Sequence, residues 1–139
     1  MRKRTKAREY ALQILYAIDI LNDKTDEPLK AFWDNAEEED PEIRKFANML
    51  VRGVLKNRET IDKMISKYAT NWNIGRMAVI DRNILREATF ELLFADDIPP
   101  KVSINEAIDI AKRYGDRDSG KFVNGILDKI HKTESKKAV

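Results

Sequence analysis

The chain has 139 residues, of which 42% are hydrophobic and 36% are charged, and its net charge at neutral pH is +2. This length is typical of a single domain that can bury its own core, so we expect one domain over residues 1–139. The absence of cysteine excludes disulfides and thiolate metal sites, and no apolar run approaches the roughly 20 residues that cross a membrane. A cytoplasmic protein fits these features.

Charge is unevenly distributed along the chain. An acidic block lies between Asp34 and Glu42, and the end of the chain becomes basic again from Lys129. The first eight residues hold five cations and no acid, namely Arg2, Lys3, Arg4, Lys6 and Arg8. We expect residues 1–8 to be a flexible basic arm. This segregation predicts a strongly positive region that suits a polyanion, despite the small net charge.

Apolar residues recur at three- and four-residue steps in the first half of the chain, which predicts helices and no strands. The first predicted helix covers residues 6–21, and a shorter one could begin at Pro28. Asp40 and Pro41 form a helix start, with Asp as the N-cap and Pro at the first helical position. A fourth helix is predicted over residues 61–68.

A polar turn at residues 70–75 separates these helices from the second half, and its Trp72 and Ile74 are expected to dock onto the core. A long helix with one apolar face is then predicted over residues 77–93. Within it, Arg82 and Arg86 are interpreted as partners in surface ion pairs with their acidic neighbours in sequence.

The last third of the chain contains clear boundary signals. Residues 99–100 are both proline, which we expect to forbid helix and to form an extended connector. Ser103 and Glu106 fit a capping box for the next helix, which should end at Gly115. A final helix should begin near Asp116.

These segments predict an all-α fold, a compact helical bundle of about seven helices, with residues 132–139 as a frayed tail. The sequence offers little for catalysis. His131 is the only histidine, so neither a transition-metal cluster nor a Ser–His pair is plausible. No glycine-rich phosphate loop occurs. We therefore expect no enzyme and no cofactor.

The residues themselves suggest a nucleic-acid surface. Tyr16 lies about two helical turns after Arg8 and so on nearly the same face. Tyr114 and Phe122 flank a polar turn that includes Lys121, where free backbone N–H groups could hold a phosphate and a ring could stack on a base.

Each of these features also has a simpler interpretation. The basic N-terminus could serve solubility alone, and Phe122 could be an ordinary core residue. Asp118 could be an acid that the dipole favours at a helix start. The residue pattern by itself leaves these alternatives open.

Longer motifs resemble the NusB family. The most specific part is IPPKVSINEAI at residues 98–108, followed by AK at 111–112 and DSGKFVNGILD at 118–128. The preceding helix matches at residues 76–77, 81–86 and 91–92, and the opening helix matches at residues 8–9, 11–13 and 15–16. The resemblance spans essentially the whole chain and is weakest from residue 22 to 40.

The resemblance implies two packed three-helix bundles without catalytic activity. It implies binding to the boxA segment of nascent, single-stranded RNA together with NusE, which doubles as a small-subunit ribosomal protein. The pair would join RNA polymerase with NusA and NusG and support antitermination, notably on ribosomal RNA operons. A homodimer that hides the RNA site stays open.

The resemblance also assigns sites. It implies that Arg2, Lys3, Arg4, Lys6 and Arg8 bind phosphates and that Asp118, Lys121 and Phe122 form a second RNA-contacting patch. Tyr16 and Asp81 match positions that the family uses towards NusE. Two other roles compete with this one: an RNA-binding appendage like those fused to ribosomal RNA methyltransferases, and a pure protein–protein scaffold.

Overall fold

The computed structural model describes residues 2–134, and within them it confirms the all-α prediction. The seven α-helices of this part are α1 (Lys3–Leu21), α2 (Glu27–Asn35), α3 (Pro41–Lys56), α4 (Arg58–Tyr68), α5 (Val79–Phe94), α6 (Pro100–Tyr114) and α7 (Ser119–Glu134). A short 3₁₀ turn, Ile74–Arg76, precedes α5. None of the described helices is long and apolar enough to span a bilayer.

The structure confirms one predicted helix start and corrects another. Asp40 caps α3, because its Oδ1 accepts a hydrogen bond from the Glu42 N–H at 2.9 Å, and Pro41 is the first helical residue as predicted. The expected extended connector at residues 99–100 is wrong in part. Pro99 is extended, but Pro100 begins α6, where a missing N–H loses no helical hydrogen bond.

The predicted capping box is also wrong. Ser103 lies inside α6, and its hydroxyl donates to Glu91 Oε1 on α5 at 2.8 Å. At the other end of the chain, α7 continues through residues 132–134, which were expected to fray. Glu134 accepts hydrogen bonds there from Lys67, at 2.7 Å, and from the Tyr68 hydroxyl. Residues 135–139 lie outside the described part.

Helix α5 is the central element of the fold. It contacts α1, α3, α4, α6 and α7, so it joins the N-terminal group α1–α3 to the C-terminal group α5–α7, with α4 against α5 and α7. This arrangement matches two packed helix groups. Besides its apolar residues, α5 buries five polar ones, Asn83, Arg86, Glu87, Thr89 and Glu91.

Arg82 and Arg86 do not form the surface pairs expected with their neighbours in sequence. Both bind Asp19 of α1, whose side chain is only 8% exposed, at 2.7 and 2.9 Å, and Arg86 also binds Asp62 of α4 at 2.8 Å. Asn83 donates a further hydrogen bond to Asp19 at 2.9 Å. These contacts join three helices, because Arg86 of α5 binds the carboxylates of both Asp19 on α1 and Asp62 on α4.

Burial alone would raise the pKa of Asp19. The hydrogen bonds from Arg82 and Asn83 and the charges of both arginines outweigh it and lower the pKa to about 2. The carboxylate therefore stays ionised in the folded protein at any ordinary pH.

We expect Asp19→Asn to lower the free energy of unfolding by about 3 kcal/mol, because it leaves Arg82 and Arg86 with less compensation for their burial. Asp19 has a lower pKa when folded, so its contribution is present above its unfolded pKa of about 3.9 and is lost as the pH falls towards 2. Urea denaturation of both proteins from pH 7 to pH 2 measures this effect, and the difference between them should shrink below pH 4.

The matched control is Asp128→Asn, which breaks an exposed pair with Lys132 within α7. It should change the stability by less than about 1 kcal/mol. Equal losses for the two variants would contradict a structural role for the Asp19 contacts.

Candidate nucleic-acid interface

The cations at the start of the chain lie on a helix and not on a flexible arm. Helix α1 begins at Lys3, so only Arg2 of the described residues precedes it. Four of the five cations keep exposed side chains, from 88% for Arg2 to 45% for Lys6. We call these four residues the basic face: Arg2, Lys3, Arg4 and Lys6.

The acidic block folds against this basic face. Lys3 Nζ lies 3.2 Å from Asp40 Oδ2 and 3.0 Å from Glu42 Oε2, and Lys6 Nζ lies 2.7 Å from Glu38 Oε1. Hydrogen bonds to Glu42 and Asp40 raise the pKa of Lys3, and one to Glu38 raises the pKa of Lys6. The charge segregation along the sequence is therefore not kept in space, and the expected strongly positive region is partly neutralised.

The two arginines of the basic face are less engaged with acids. Arg4 lies over the ring of Phe46, with its guanidinium carbon 4.5 Å from the ring centroid, and reaches Asp97 at 3.6 Å. Arg2 approaches Glu106 at 3.8 Å. Such long contacts at exposed side chains are weak, so both guanidinium groups remain available to another anion.

The prediction that Arg8 binds phosphate is wrong, because Arg8 is buried. Its side chain is 3% exposed and makes two hydrogen bonds to Glu91, from Nε at 2.9 Å and from the terminal nitrogen at 2.8 Å. A second carboxylate, that of Glu106, lies 3.3 Å away. Arg8 therefore connects α1 to α5 and α6, and phosphate cannot reach it without opening the core.

A third buried carboxylate, Glu87, completes this cluster. Burial raises the pKa of Glu87 well above its ordinary value, the charge of Glu91 adds to the increase, and Arg8 opposes it. The cluster thus holds one cation, two carboxylates and one acid that favours its protonated form. Arg8 is paired with both Glu91 and Glu106 within the core, so its charge is not offered to a ligand.

A different arrangement is found where α7 begins. An open pocket there is lined by Trp72, Met77, Ala78, Asp81, Asp116, Asp118, Ser119 and Phe122, and we call it the aromatic pocket. The rings of Trp72 and Phe122 meet edge to face, with centroids 5.4 Å apart and planes at 73°. Phe122 is partly buried and packs against the core, and it also lines this pocket.

Trp72 is the residue that sequence reasoning missed. It was expected to dock onto the core with Ile74. Ile74 does pack there, but Trp72 is 55% exposed. The only signal in the sequence was a large aromatic residue within a polar turn.

The aromatic pocket brings together residues that had been assigned to two different partners. Asp118 is exposed at its rim, beside Asp81, which was expected to face NusE. Burial raises the pKa of Asp81, a hydrogen bond with Ser119 opposes the increase, and Asp116 adds to it. Lys121 is exposed at the start of α7 and does not line the pocket.

Tyr16 lies elsewhere, on the outer face of α1. It is exposed together with Ile20 and Leu21, so these three residues form an apolar strip at the end of that helix. Helices α1 and α5 pack together, which places the Tyr16 and Asp81 positions on neighbouring elements.

Among the residues that the structure describes, no group of three side chains could hold a metal ion.

The model of the NusB family matches residues 5–132 of the chain. This chain belongs to the NusB family. The transcription antitermination protein NusB of Thermodesulfovibrio yellowstonii is 48% identical over 142 aligned positions, which cover 95% of this chain and 93% of the relative.

Solved NusB structures share the fold. That of T. maritima NusB matches with a TM-score of 0.87 and 41% identity, covering 97% of this chain and 94% of the other. A crystal structure of the antitermination factors NusB and NusE in complex with double-stranded RNA matches with a TM-score of 0.86 and 32% identity, covering 95% and 98%.

Because Arg8 is buried and Arg4 is exposed, replacing each by alanine should affect the stability of the fold differently. We expect Arg8→Ala to lower the free energy of unfolding by about 3–5 kcal/mol, because it leaves Glu91 and Glu106 buried without their cation. Arg4→Ala should have a much smaller effect, since its charge pair is long and exposed. Thermal and urea denaturation of the two variants provide the comparison, and a stable Arg8→Ala protein would refute the structural assignment.

Proposed function

We propose that this chain is a transcription antitermination factor that binds boxA in nascent RNA together with NusE. The observation that carries the proposal is the contact between the exposed ring of Trp72 and the partly buried ring of Phe122, in a pocket that Asp118 also lines, in a chain of the NusB family. Exposed aromatic rings stack on unpaired bases, and the edges of bases are open to side chains only where the RNA is single-stranded.

The proposed RNA contacts divide into two kinds. Arg2, Lys3, Arg4 and Lys6 of the basic face, with Lys121 on α7, would neutralise phosphates and supply affinity that depends on salt. Asp118 and Phe122 would contact a base and supply preference for boxA. Arg8 is no longer part of the proposed surface, because it is buried.

The proposed NusE contacts are Tyr16, with the apolar strip that it shares with Ile20 and Leu21, and Asp81. A second protein that binds the same RNA raises the effective affinity of both, so weak RNA binding by this chain alone is expected. The pair would then join RNA polymerase with NusA and NusG in the cytoplasm. The role requires no cofactor.

The direct test is fluorescence anisotropy with labelled boxA RNA, a scrambled RNA of the same composition, and boxA annealed to its complement. Each is titrated at several salt concentrations, with and without NusE. We expect single-stranded boxA to bind best, more tightly with NusE and less tightly as salt rises. NusE binding without any effect of boxA would favour a protein–protein scaffold, a role that the partial neutralisation of Lys3 and Lys6 also suits.

The contacts between the acidic block and the basic face predict opposite changes in RNA affinity when the cation or the acid of one pair is replaced. Lys3→Ala should weaken RNA binding and reduce the slope of log K against log salt by about 0.7, the value for one lost phosphate contact on a single strand. Glu42→Gln should strengthen RNA binding a few-fold at low salt, because it removes an anion that competes for Lys3. Glu42 suits this test because its side chain is exposed, whereas Asp40 also caps α3.

The exposed pair Glu59 and Lys63 on α4 provides matched controls. Lys63→Ala and Glu59→Gln make the same charge changes away from the basic face, and neither should alter the RNA affinity beyond the effect of net charge. If all four variants simply follow net charge, the basic face is not the phosphate site.

A further inference from the structure

We propose that the aromatic pocket binds one RNA base that carries an exocyclic amino group, with Trp72 as its stacking residue and Asp118 as the acceptor for its amino edge. The inference rests on the proposed RNA-binding function. It adds to that function a residue, Trp72, and a chemical class of base.

The stacking role follows from how the two rings are held. Phe122 is anchored against the core, and its contact with Trp72 fixes the indole at 73° to the phenyl plane. The Trp72 backbone N–H also donates to the Ala69 carbonyl at 3.0 Å, which holds the turn that presents the ring. An edge-to-face contact leaves much of the indole surface uncovered, consistent with its 55% exposure. A stacked base would remove that apolar surface from water.

The preference for an amino group follows from charge. Three carboxylates, those of Asp81, Asp116 and Asp118, line the pocket, and no cation is found among its described lining residues. Such a pocket repels a phosphate and favours hydrogen-bond donors. Carboxylates accept from amino groups such as cytosine N4, and adenine and guanine also carry amino groups, whereas uracil presents carbonyl oxygens in those places.

The surroundings of the pocket fit a base inside and a phosphate outside. Lys121 lies in the first turn of α7, three residues after the pocket residue Asp118, and it is exposed but does not line the pocket. One nucleotide could therefore place its base against Trp72 while its phosphate meets Lys121. Asp118, just before α7, and Lys121, in its first turn, would then have different roles, one towards the base and one towards the phosphate.

The test uses boxA RNA and single-stranded oligo(A), oligo(C) and oligo(U) of equal length, with the full chain and its variants. Trp72→Ala should weaken boxA binding by roughly 5- to 150-fold, the range for loss of one base–aromatic stack. Trp72→Phe should retain part of the affinity. The parent protein should bind oligo(A) and oligo(C) more tightly than oligo(U), and Asp118→Asn should reduce that preference.

Intrinsic fluorescence supplies a second readout. The chain has two tryptophans, and Trp33 is partly buried and donates to Asn48 at 2.7 Å. RNA should quench the fluorescence of the parent and of Trp33→Phe, but not that of Trp72→Phe. Trp33→Phe is thus the matched control, since its remaining tryptophan is the one in the pocket.

Unchanged boxA affinity in Trp72→Ala, or quenching that persists in Trp72→Phe, would overturn this inference and leave the proposed function intact. Equal binding of oligo(U) and oligo(C) would overturn the amino-group preference. If the parent itself does not distinguish boxA from scrambled RNA, the proposed function fails instead. Circular dichroism identifies an unfolded Trp72→Ala protein, in which case the Trp72→Phe and Asp118→Asn results decide.

Discussion

The packing of α1 against α5 is the constraint on which the rest of the structure depends. Arg8 and Asp19 lie on one face of α1, about three turns apart, and bind Glu91 and Arg82 of α5. Along both helices the cation comes before the acid, so only an antiparallel arrangement brings opposite charges together. A parallel arrangement would place Arg8 beside Arg82, and a shift of one turn would separate both pairs. Because buried charges without partners are strongly destabilising, these contacts select one register for the bundle.

The same constraint positions the proposed interface. With Arg8 turned into the core, the neighbouring cations of α1 are left at its surface, where Lys3 and Lys6 meet the acidic block. At the other end of the contact, Arg82 fixes the first turn of α5, and the preceding residue, Asp81, then faces the start of α7. The aromatic pocket is thus built from a turn, a helix start and a helix face whose relative positions the α1–α5 contact helps to set.

Local signals in the sequence predicted the helices well, because amphipathic periodicity and the Asp40–Pro41 start depend only on neighbouring residues. The wrong predictions concern side chains whose partners lie on other helices, far away in the sequence. Arg8 sits in a run of cations and gives no local sign of burial, since its partner Glu91 is on α5. Ser103 has the spacing of a cap but donates instead to Glu91. The family motif located Phe122 and Asp118, yet the position of Trp72 beside them depends on tertiary packing.

The partial neutralisation of the basic face fits a protein that must recognise one RNA among many. Phosphate contacts are nearly independent of sequence, so a fully exposed cationic helix would bind any RNA and raise non-specific affinity as much as specific affinity. The acids that pair with Lys3 and Lys6 reduce this phosphate contribution to the affinity for any RNA. A larger share of the binding free energy then comes from contacts that distinguish bases, which we propose are made by the aromatic pocket. On this view the acidic block and the pocket act together: the acids weaken phosphate binding, so recognition of the base determines which RNA is bound.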